Sequence, residues 1–264
     1  SGVIEAVGTN VDPGLVGKNA WIFGAQAYRP MGTAAEFCTL PAWMAPVLPE
    51  KASLEDGACL GVPAVTAYYS IFSDGPVEGQ TVLVSGGGGR VGAYAVQMAK
   101  LGGATVIAMV GKPENENYVK ELGADHVVNY KNDDVAAKVL ELTGGRGVDR
   151  ISEVAFGANV DLFHQVVVPN GVVTAYSSDA VESPVLPFLQ LMFKNITMRP
   201  FTIYQLPEQT KRDIFDAVNG MLKKGQLKHR IDQHHPFTLE GVIAAHEAIE
   251  ADAVAGVCLI DVGG

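Results

Sequence analysis

Short apolar runs alternate with amphipathic stretches through the middle of the chain. Continuous apolar runs are typical of strands buried on both faces, and apolar positions three or four residues apart are typical of helices. Their alternation predicts βαβ units in a parallel sheet covered by helices on both sides. The predicted strands cover residues 81–85, 105–110, 126–128, 149–154, 172–176 and 196–201, and helices between them include 91–101, 135–142 and 159–167.

The two ends of the chain differ from this middle region. Residues 1–65 are rich in Gly and Pro and contain only short apolar runs, a pattern typical of an irregular β domain with many turns. After the middle region, residues 66–205, the last region covers residues 206–264. It predicts two helices and a closing strand, over residues 208–224, 239–251 and 257–262, with a turn before the second helix.

The charge balance limits the class of partner. Among 264 residues, 29 acidic side chains outnumber 19 basic ones, which gives a formal net charge of -10. Binding of nucleic acid requires clustered Lys and Arg, so the acidic balance argues against nucleic acid as the main partner. The longest uncharged stretch, residues 162–178, contains Pro169 and Gly171, so it predicts helix, turn and strand and no membrane span.

The cysteines and the N-terminal residues bear on the compartment. Cys38, Cys59 and Cys258 are odd in number and far apart, so neither a disulfide framework nor a zinc cluster is indicated. This usage fits a reducing compartment, and we expect a cytoplasmic protein. Residues 1–8 show no signal peptide and no initiator Met, and they open directly into strand-like sequence. We therefore expect an N-terminal part of the protein to be absent from this sequence.

A glycine cluster follows the first strand of the middle region. Its sequence fits the pattern G-x-G-x-x-G between a strand and a helix, as the dinucleotide fingerprint requires. We expect Gly87 to permit the tight turn, Gly89 to let the backbone approach a pyrophosphate, and Gly92 to let helix and strand pack closely. The alternative is a plain flexible loop. The predicted cofactor-binding run is Gly87, Gly88, Gly89, Arg90, Val91 and Gly92.

The residues after the second strand bear on the choice of dinucleotide. An NAD site usually has Asp or Glu here, because a carboxylate accepts hydrogen bonds from the ribose hydroxyls. This strand ends at Val110-Gly111-Lys112, and no acid precedes Glu114. Lys112 would attract a 2′-phosphate, so the sequence favours NADPH as the cofactor. The alternative is a solvated loop lysine, and Arg90 likewise either contacts the phosphates or points to water.

Further short motifs occur in a fixed order along the chain. They are Gly2-Val3-Ile4-Glu5-Ala6-Val7-Gly8, Leu48-Pro49-Glu50, Gly61-Val62-Pro63 with Thr66-Ala67-Tyr68, Gly123-Ala124-Asp125 with Val128-Asn129-Tyr130, Gly147-Val148-Asp149 and Ala245-His246-Glu247. With the glycine cluster, they resemble the quinone oxidoreductase branch of the zinc-independent medium-chain dehydrogenase/reductase superfamily, which includes zeta-crystallin. The chain departs from the family pattern at Arg90, where Gly is usual, and at Val257, where Lys often follows the glycine.

The resemblance implies the architecture and the site. It implies a Rossmann-type doubly wound sheet that binds NADPH, inserted in a GroES-like, β-rich catalytic domain, with the cofactor in the cleft between them and a homodimer or homotetramer as the assembly. It implies contacts of Pro63 and Thr66 near the nicotinamide and of Tyr130 near the 2′-phosphate. The alternatives are a half-buried strand-end aromatic for Tyr130 and an ordinary helix N-cap for Thr66.

Metal ligands are not indicated. Zinc alcohol dehydrogenases share the implied fold, and their third catalytic ligand is a Cys just before the segment that matches residues 63–68. Val62 stands at that position here. The neighbours His234 and His235 would point in opposite directions on an extended segment, so we predict no metal site.

The function follows from these features, although no catalytic residue is identified. In hydride transfer the cofactor carries the chemistry, and the protein supplies orientation and a shaped cleft. The leading prediction is an NADPH-dependent enzyme that reduces quinones without zinc. The alternatives are a reductase of enones or alkenals, a non-catalytic NADPH-binding member of the family, and a zinc-type alcohol dehydrogenase, which Val62 disfavours.

Overall fold

A computed structural model describes residues 1–263 of the protein, and the chain divides into two compact units. The first unit combines residues Ser1–Val65 with the C-terminal segment that begins at Ile203. The second unit is Thr66–Thr202. In the described part of the chain, no helix combines the length and the apolar character needed to cross a bilayer.

The N-terminal part of the first unit consists mainly of turns. Strands β1 (Gly2–Val3) and β2 (Asn19–Ala20) form a short antiparallel pair. Single turns of 3-10 helix occur at Pro13–Leu15 and Ala42–Met44. The strands are short because Gly and Pro recur throughout this region and interrupt any longer ladder.

Helix α1 (Leu54–Phe72) begins earlier than the sequence patterns indicated. Ser53 and Asp56 form a capping box: the Asp56 carboxylate accepts a hydrogen bond from the Ser53 N–H at 2.8 Å, and the Ser53 hydroxyl accepts one from the Asp56 N–H at 3.0 Å. These bonds satisfy backbone groups that a helix start leaves unpaired. The interpretation of Thr66 as a helix N-cap is therefore wrong, because Thr66 lies inside α1 and is 5% exposed.

The second unit has the predicted α/β fold. Its helices are α2 (Arg90–Leu101), α3 (Glu114–Glu121), α4 (Val135–Leu142), α5 (Phe156–Val166) and α6 (Phe188–Phe193). Its strands are β3 (Thr81–Val84), β4 (Thr105–Val110), β5 (His126–Asn129), β6 (Val148–Glu153), β7 (Val167–Ala175) and β8 (Thr197–Pro200).

All six strands of this sheet run parallel, in the order β5-β4-β3-β6-β7-β8. The apolar runs place Leu83, Ile107, Ile151 and Val173, from four different strands, in one fully buried core with Phe163 of α5. The chain leaves β3 toward β4 on one side and reaches β6 on the other. The crevice at the carboxyl ends of β3 and β6 is therefore the topological switch point, where open α/β sheets bind ligands.

A buried arginine links the sheet to the end of α1. Arg150 of β6 is 2% exposed, and its guanidinium donates hydrogen bonds to the carbonyl oxygens of Ile71, Asp74 and Gly75. Burial lowers the pKa of Arg150. The last carbonyl groups of a helix lack partners within the helix, so this cation caps the C-terminus of α1.

The C-terminal segment completes the first unit. Its elements are α7 (Glu208–Lys223), β9 (Ile231–Pro236), α8 (Leu239–Glu250) and β10 (Val257–Asp261), and β9 pairs with β10 in parallel. Phe215 of α7 packs against Trp21 and Phe23, with ring centroids 5.1 and 5.4 Å apart. The indole N–H of Trp21 also donates to Asn219 Oδ1 at 3.0 Å. Apolar burial thus joins the two ends of the chain.

Candidate functional site

The glycine cluster forms the turn between β3 and α2. Gly86 has φ +64°, a left-handed conformation that favours glycine, and a Cβ added there would lie 2.8 Å from Val154 Cγ1. We expected Gly87 to permit this turn, and that expectation is wrong by one residue, because Gly87 is not among the residues with positive φ. Gly87 has another role: its N–H donates to the carbonyl of Met109 at 2.9 Å, which attaches the loop to β4.

Gly92 controls how closely α2 approaches the loop. A Cβ at this position would lie 2.1 Å from the carbonyl oxygen of Gly86, a distance that no side-chain carbon tolerates. The first turn of α2 therefore packs directly against the backbone of the loop. Gly89 caps this turn with extended backbone (φ -80°, ψ 172°), and both Gly89 and Arg90 are exposed. The helix N-terminus is consequently open to solvent above the carboxyl end of β3.

This geometry suits an anion. The first N–H groups of a helix have no partner within the helix, and the helix dipole adds partial positive charge there. Gly89 is exposed and has no side chain, so these groups can be approached at the open end of the helix. The residues present therefore fit the pyrophosphate of a dinucleotide.

Lys112 and Tyr130 lie beside this loop. Asn115 connects Lys112 to the loop, since a Cβ on Gly88 would lie 2.5 Å from Asn115 Nδ2 and the Asn115 N–H donates to the carbonyl of Lys112 at 3.0 Å. The Tyr130 hydroxyl lies against Gly111, where an added Cβ would be 2.3 Å from it. The loop, Lys112 and Tyr130 thus cluster at the carboxyl ends of β3, β4 and β5.

Pro63 and Thr66 lie on a different element. Both are in α1, after a break at Gly61, whose dihedral angles (φ 20°, ψ -124°) are not helical. Pro63 belongs to the first unit and Thr66 to the second. The roles of all these residues in cofactor binding stay predictions, and Asn115 joins them as a neighbour of the loop that the sequence patterns did not identify.

The sequence patterns also did not identify a buried carboxyl group at the switch point. Glu153 ends β6, is 0% exposed, and accepts hydrogen bonds from Ser85 and Asn159. Burial raises the pKa of Glu153. Tyr176, just after β7, has a buried hydroxyl, and burial together with the nearby Glu153 charge raises its pKa. Strand β6 also carries Asp149, Arg150 and Ser152, so no sequence pattern marks Glu153 as a buried group of the site.

Possible metal ligands are dispersed. Within residues 1–263, no group of three His, Cys, Asp or Glu side chains could hold a metal ion. His234 Nδ1 lies 3.3 Å from Asp261 Oδ1, whereas His235 Nε2 lies 2.9 Å from Gln233 Oε1. The two histidines therefore have separate partners. Val62, at the position of the third zinc ligand, lies in α1.

The chain is similar to known oxidoreductases along most of its length. A family model described as zinc-binding dehydrogenase matches residues 91–219. The quinone oxidoreductase of Pongo abelii is 29% identical over 251 residues, which cover 94% of this chain and 74% of that protein.

Solved structures show the same fold. A quinone oxidoreductase from Pseudomonas syringae pv. Tomato DC3000 gives a TM-score of 0.85 at 27% identity, over 98% of this chain and 79% of that one. An NAD-dependent alcohol dehydrogenase gives 0.86 at 25% identity, over 99% and 81%. A mycobacterial protein solved in complex with NADPH gives 0.82 at 25% identity, over 98% and 79%.

The doubly wound sheet, its glycine turn and these similarities define the class of protein: the chain is an oxidoreductase of the medium-chain dehydrogenase/reductase superfamily. Within this superfamily it is similar to the quinone oxidoreductase branch. The fold and family predicted from the sequence are therefore confirmed.

The close contact at Gly92 generates a prediction about stability. We expect Gly92→Ala to lower the free energy of unfolding by about 1–3 kcal/mol, because the added methyl group forces α2 away from the loop. Urea denaturation measures this change. The control is Gly220→Ala in α7, where a Cβ meets nothing within 4 Å, so helix propensity should leave stability unchanged or slightly raised. A Gly92→Ala protein as stable as wild type would contradict the close packing.

Proposed function

We propose that the protein is an NADPH-dependent reductase of quinones that works without zinc. The observation that carries the proposal is the cluster at the carboxyl ends of β3, β4 and β5, where an open helix N-terminus, Lys112 and Tyr130 lie together. It combines a fit for pyrophosphate with a cation at the position where an NAD site usually has a carboxylate. The mycobacterial structural neighbour was solved with NADPH, which supports a nicotinamide cofactor here.

Different residues of the chain would bind different parts of NADPH. The N–H groups at the start of α2 would hold the pyrophosphate. Gly89 would let the backbone approach it, and Gly92 would let α2 pack closely against the loop. Lys112 and the Tyr130 hydroxyl would contact the 2′-phosphate, and Pro63 and Thr66 would contact the nicotinamide. NADPH, when bound, supplies the hydride. The protons that a reduced quinone requires can come from water.

The residue at the zinc-ligand position supports a zinc-independent reaction. Val62 has no donor atom. The family model carries a zinc-binding description, but its match begins at residue 91, after this position. Without a Lewis acid, the acceptor itself must be electrophilic, and orientation and proximity alone lower such a barrier by several kcal/mol. Quinones meet this requirement, and enones or alkenals are the alternative acceptors for the same reason.

Cofactor preference is tested at Lys112. We expect Lys112→Ala to weaken NADPH binding by about tenfold and to leave NADH binding nearly unchanged, because a charge-assisted hydrogen bond to the 2′-phosphate is lost. Fluorescence titration of both cofactors measures this. Lys138→Ala is the control, since Lys138 pairs with Glu141 on the surface of α4. Equal losses for the two cofactors would show that Lys112 does not recognise the 2′-phosphate.

The reaction is tested with panels of acceptors. NADPH oxidation should be fast with 1,4-benzoquinone or with enones, slow with unactivated ketones, and unaffected by a chelator, because no Lewis acid takes part. The metal content of the purified protein is measured in parallel. NADPH binding without turnover of any acceptor would indicate a non-catalytic protein. Fast zinc-dependent oxidation of plain alcohols would overturn the proposal.

An exposed apolar surface supports the proposed homodimer or homotetramer. The surface, which we call the α6 patch, consists of residues in α6 and just before it, and α6 precedes β8, the edge strand of the sheet, in the chain. A cluster of large exposed apolar side chains in a water-soluble enzyme commonly marks an interface. The α6 patch consists of Val185 (89% exposed), Leu186, Phe188 (66%), Leu189, Met192 and Phe193 (80%).

The assembly is tested by light scattering after size-exclusion chromatography. We expect the wild type to be oligomeric and the Phe188→Glu/Phe193→Glu variant to dissociate, because the new charges would be buried unpaired in the interface. Leu239→Glu is the control, since Leu239 is an equally exposed apolar residue of the other unit. A monomeric wild type would contradict the assignment of the α6 patch to an interface.

A further inference from the structure

The buried carboxyl group of Glu153 connects both sides of the switch point. One oxygen, Oε1, accepts a hydrogen bond from Ser85 Oγ at 2.8 Å, from Asn159 Nδ2 at 3.0 Å and from the Ala155 N–H at 2.6 Å. Ser85 follows β3 and immediately precedes Gly86, while Ala155 and Asn159 belong to the start of α5. A single atom therefore holds the first residue of the glycine loop and the first turn of the helix after β6.

The backbone reinforces this connection. The Ser85 N–H donates to the carbonyl of Ser152 at 2.9 Å, next to Glu153. Ser85 is thus bound by β6 through its backbone and through its side chain. The conformation of the loop at Gly86 depends directly on where Ser85 is held, because the two residues share a peptide bond.

The burial of Glu153 is unfavourable for the stability of the fold. Its second oxygen, Oε2, is buried with no hydrogen-bond partner among the described residues. A buried polar atom without a partner destabilises the folded protein, and apolar residues of similar size often replace buried charged groups without loss of stability. Polar groups retained at such a cost are typical of functional sites.

We propose that Glu153 is a positioning residue of the cofactor site: by fixing Ser85 and the start of α5, it sets the shape of the crevice between β3 and β6 in which the dinucleotide binds. This inference rests on the proposed function. Glu153 is fully buried and acts through Ser85, so it is not expected to touch the cofactor.

The chain offers a matched control at the opposite edge of the same strands. Asp149, at the start of β6, accepts a hydrogen bond from the Thr81 N–H at the start of β3 at 2.8 Å. Glu153 and Asp149 thus both connect β3 with β6 through a carboxylate, one at the carboxyl edge and the other at the amino edge. Only the carboxyl edge forms the crevice of the switch point.

The test compares Glu153→Leu, Glu153→Gln, Ser85→Ala and Asp149→Leu. NADPH affinity is measured by fluorescence titration, and stability by urea denaturation. We expect Glu153→Leu to weaken NADPH binding by about tenfold, because Ser85 and the start of α5 are no longer held in place. This is the size of effect that the loss of one charge-assisted hydrogen bond produces. Glu153→Gln keeps an acceptor oxygen at Oε1 and should bind NADPH within about threefold of the wild type. Asp149→Leu should lose stability and keep its affinity.

Steady-state kinetics and the serine variant separate positioning from stability. In Glu153→Leu the KM for NADPH should rise, while kcat at saturating NADPH and the KM for the quinone should change little. If Glu153→Leu does not fold, Ser85→Ala replaces it in the test, since this substitution removes only the hydroxyl. We expect Ser85→Ala to weaken NADPH binding at least about threefold.

Two results would overturn the inference while the proposed function stands: wild-type affinity for NADPH in Glu153→Leu or Ser85→Ala, or an equal loss of affinity in Asp149→Leu. The first would show that the link does not reach the cofactor site, and the second would show a general effect of destabilising the sheet. A wild-type protein that does not bind NADPH would overturn the proposed function, and this inference with it.

Discussion

The arrangement of the second unit depends on the close approach of two backbone segments, the Gly86 carbonyl and the first turn of α2 at Gly92. The distance available there excludes any Cβ at position 92. Because the helix can approach this closely, its N-terminus is directed over the end of β3 and its N–H groups are presented to an anion. The same approach brings the loop against β4 through Gly87 and places Gly88 against Asn115. The candidate site is therefore built mainly from backbone, and the side chains around it refine its selectivity.

The polar groups of the unit show a division between the two edges of the sheet. At the carboxyl edge, Lys112 and Tyr130 are accessible and Glu153 is buried behind the loop. At the amino edge, Asp149 pairs with Arg146 and with the backbone of Thr81, and its pKa is lowered by these bonds against the opposing effect of burial. Asp149 is thus paired at the amino edge, whereas Glu153 Oε2 at the carboxyl edge has no hydrogen-bond partner among the described residues.

The sequence correctly predicted the elements that have a regular hydrophobic pattern, such as fully buried strands and amphipathic helices. The strand at 105–110 and the helix at 135–142 are confirmed residue for residue, because an unbroken apolar run and a regular amphipathic pattern leave few alternatives. Strand β9 was missed because Gln233, His234 and His235 give it no apolar face. The tight turn was assigned to Gly87, since adjacent glycines cannot be told apart without dihedral angles. Glu153 was missed for a different reason: its partner Ser85 lies 68 residues away, and no local pattern connects them.

The cap that Arg150 places on α1 has a consequence for the order of folding. The carbonyl groups of Ile71, Asp74 and Gly75 receive their partner from a residue 75 to 79 positions later in the chain. During synthesis, the end of α1 therefore emerges long before the guanidinium that completes it, at translation rates of roughly 5–20 residues per second. Contacts of such high sequence separation slow folding, since the intervening chain must first be closed into a loop. The C-terminal turn of α1 should accordingly be among the last parts of the second unit to gain protection against amide hydrogen exchange.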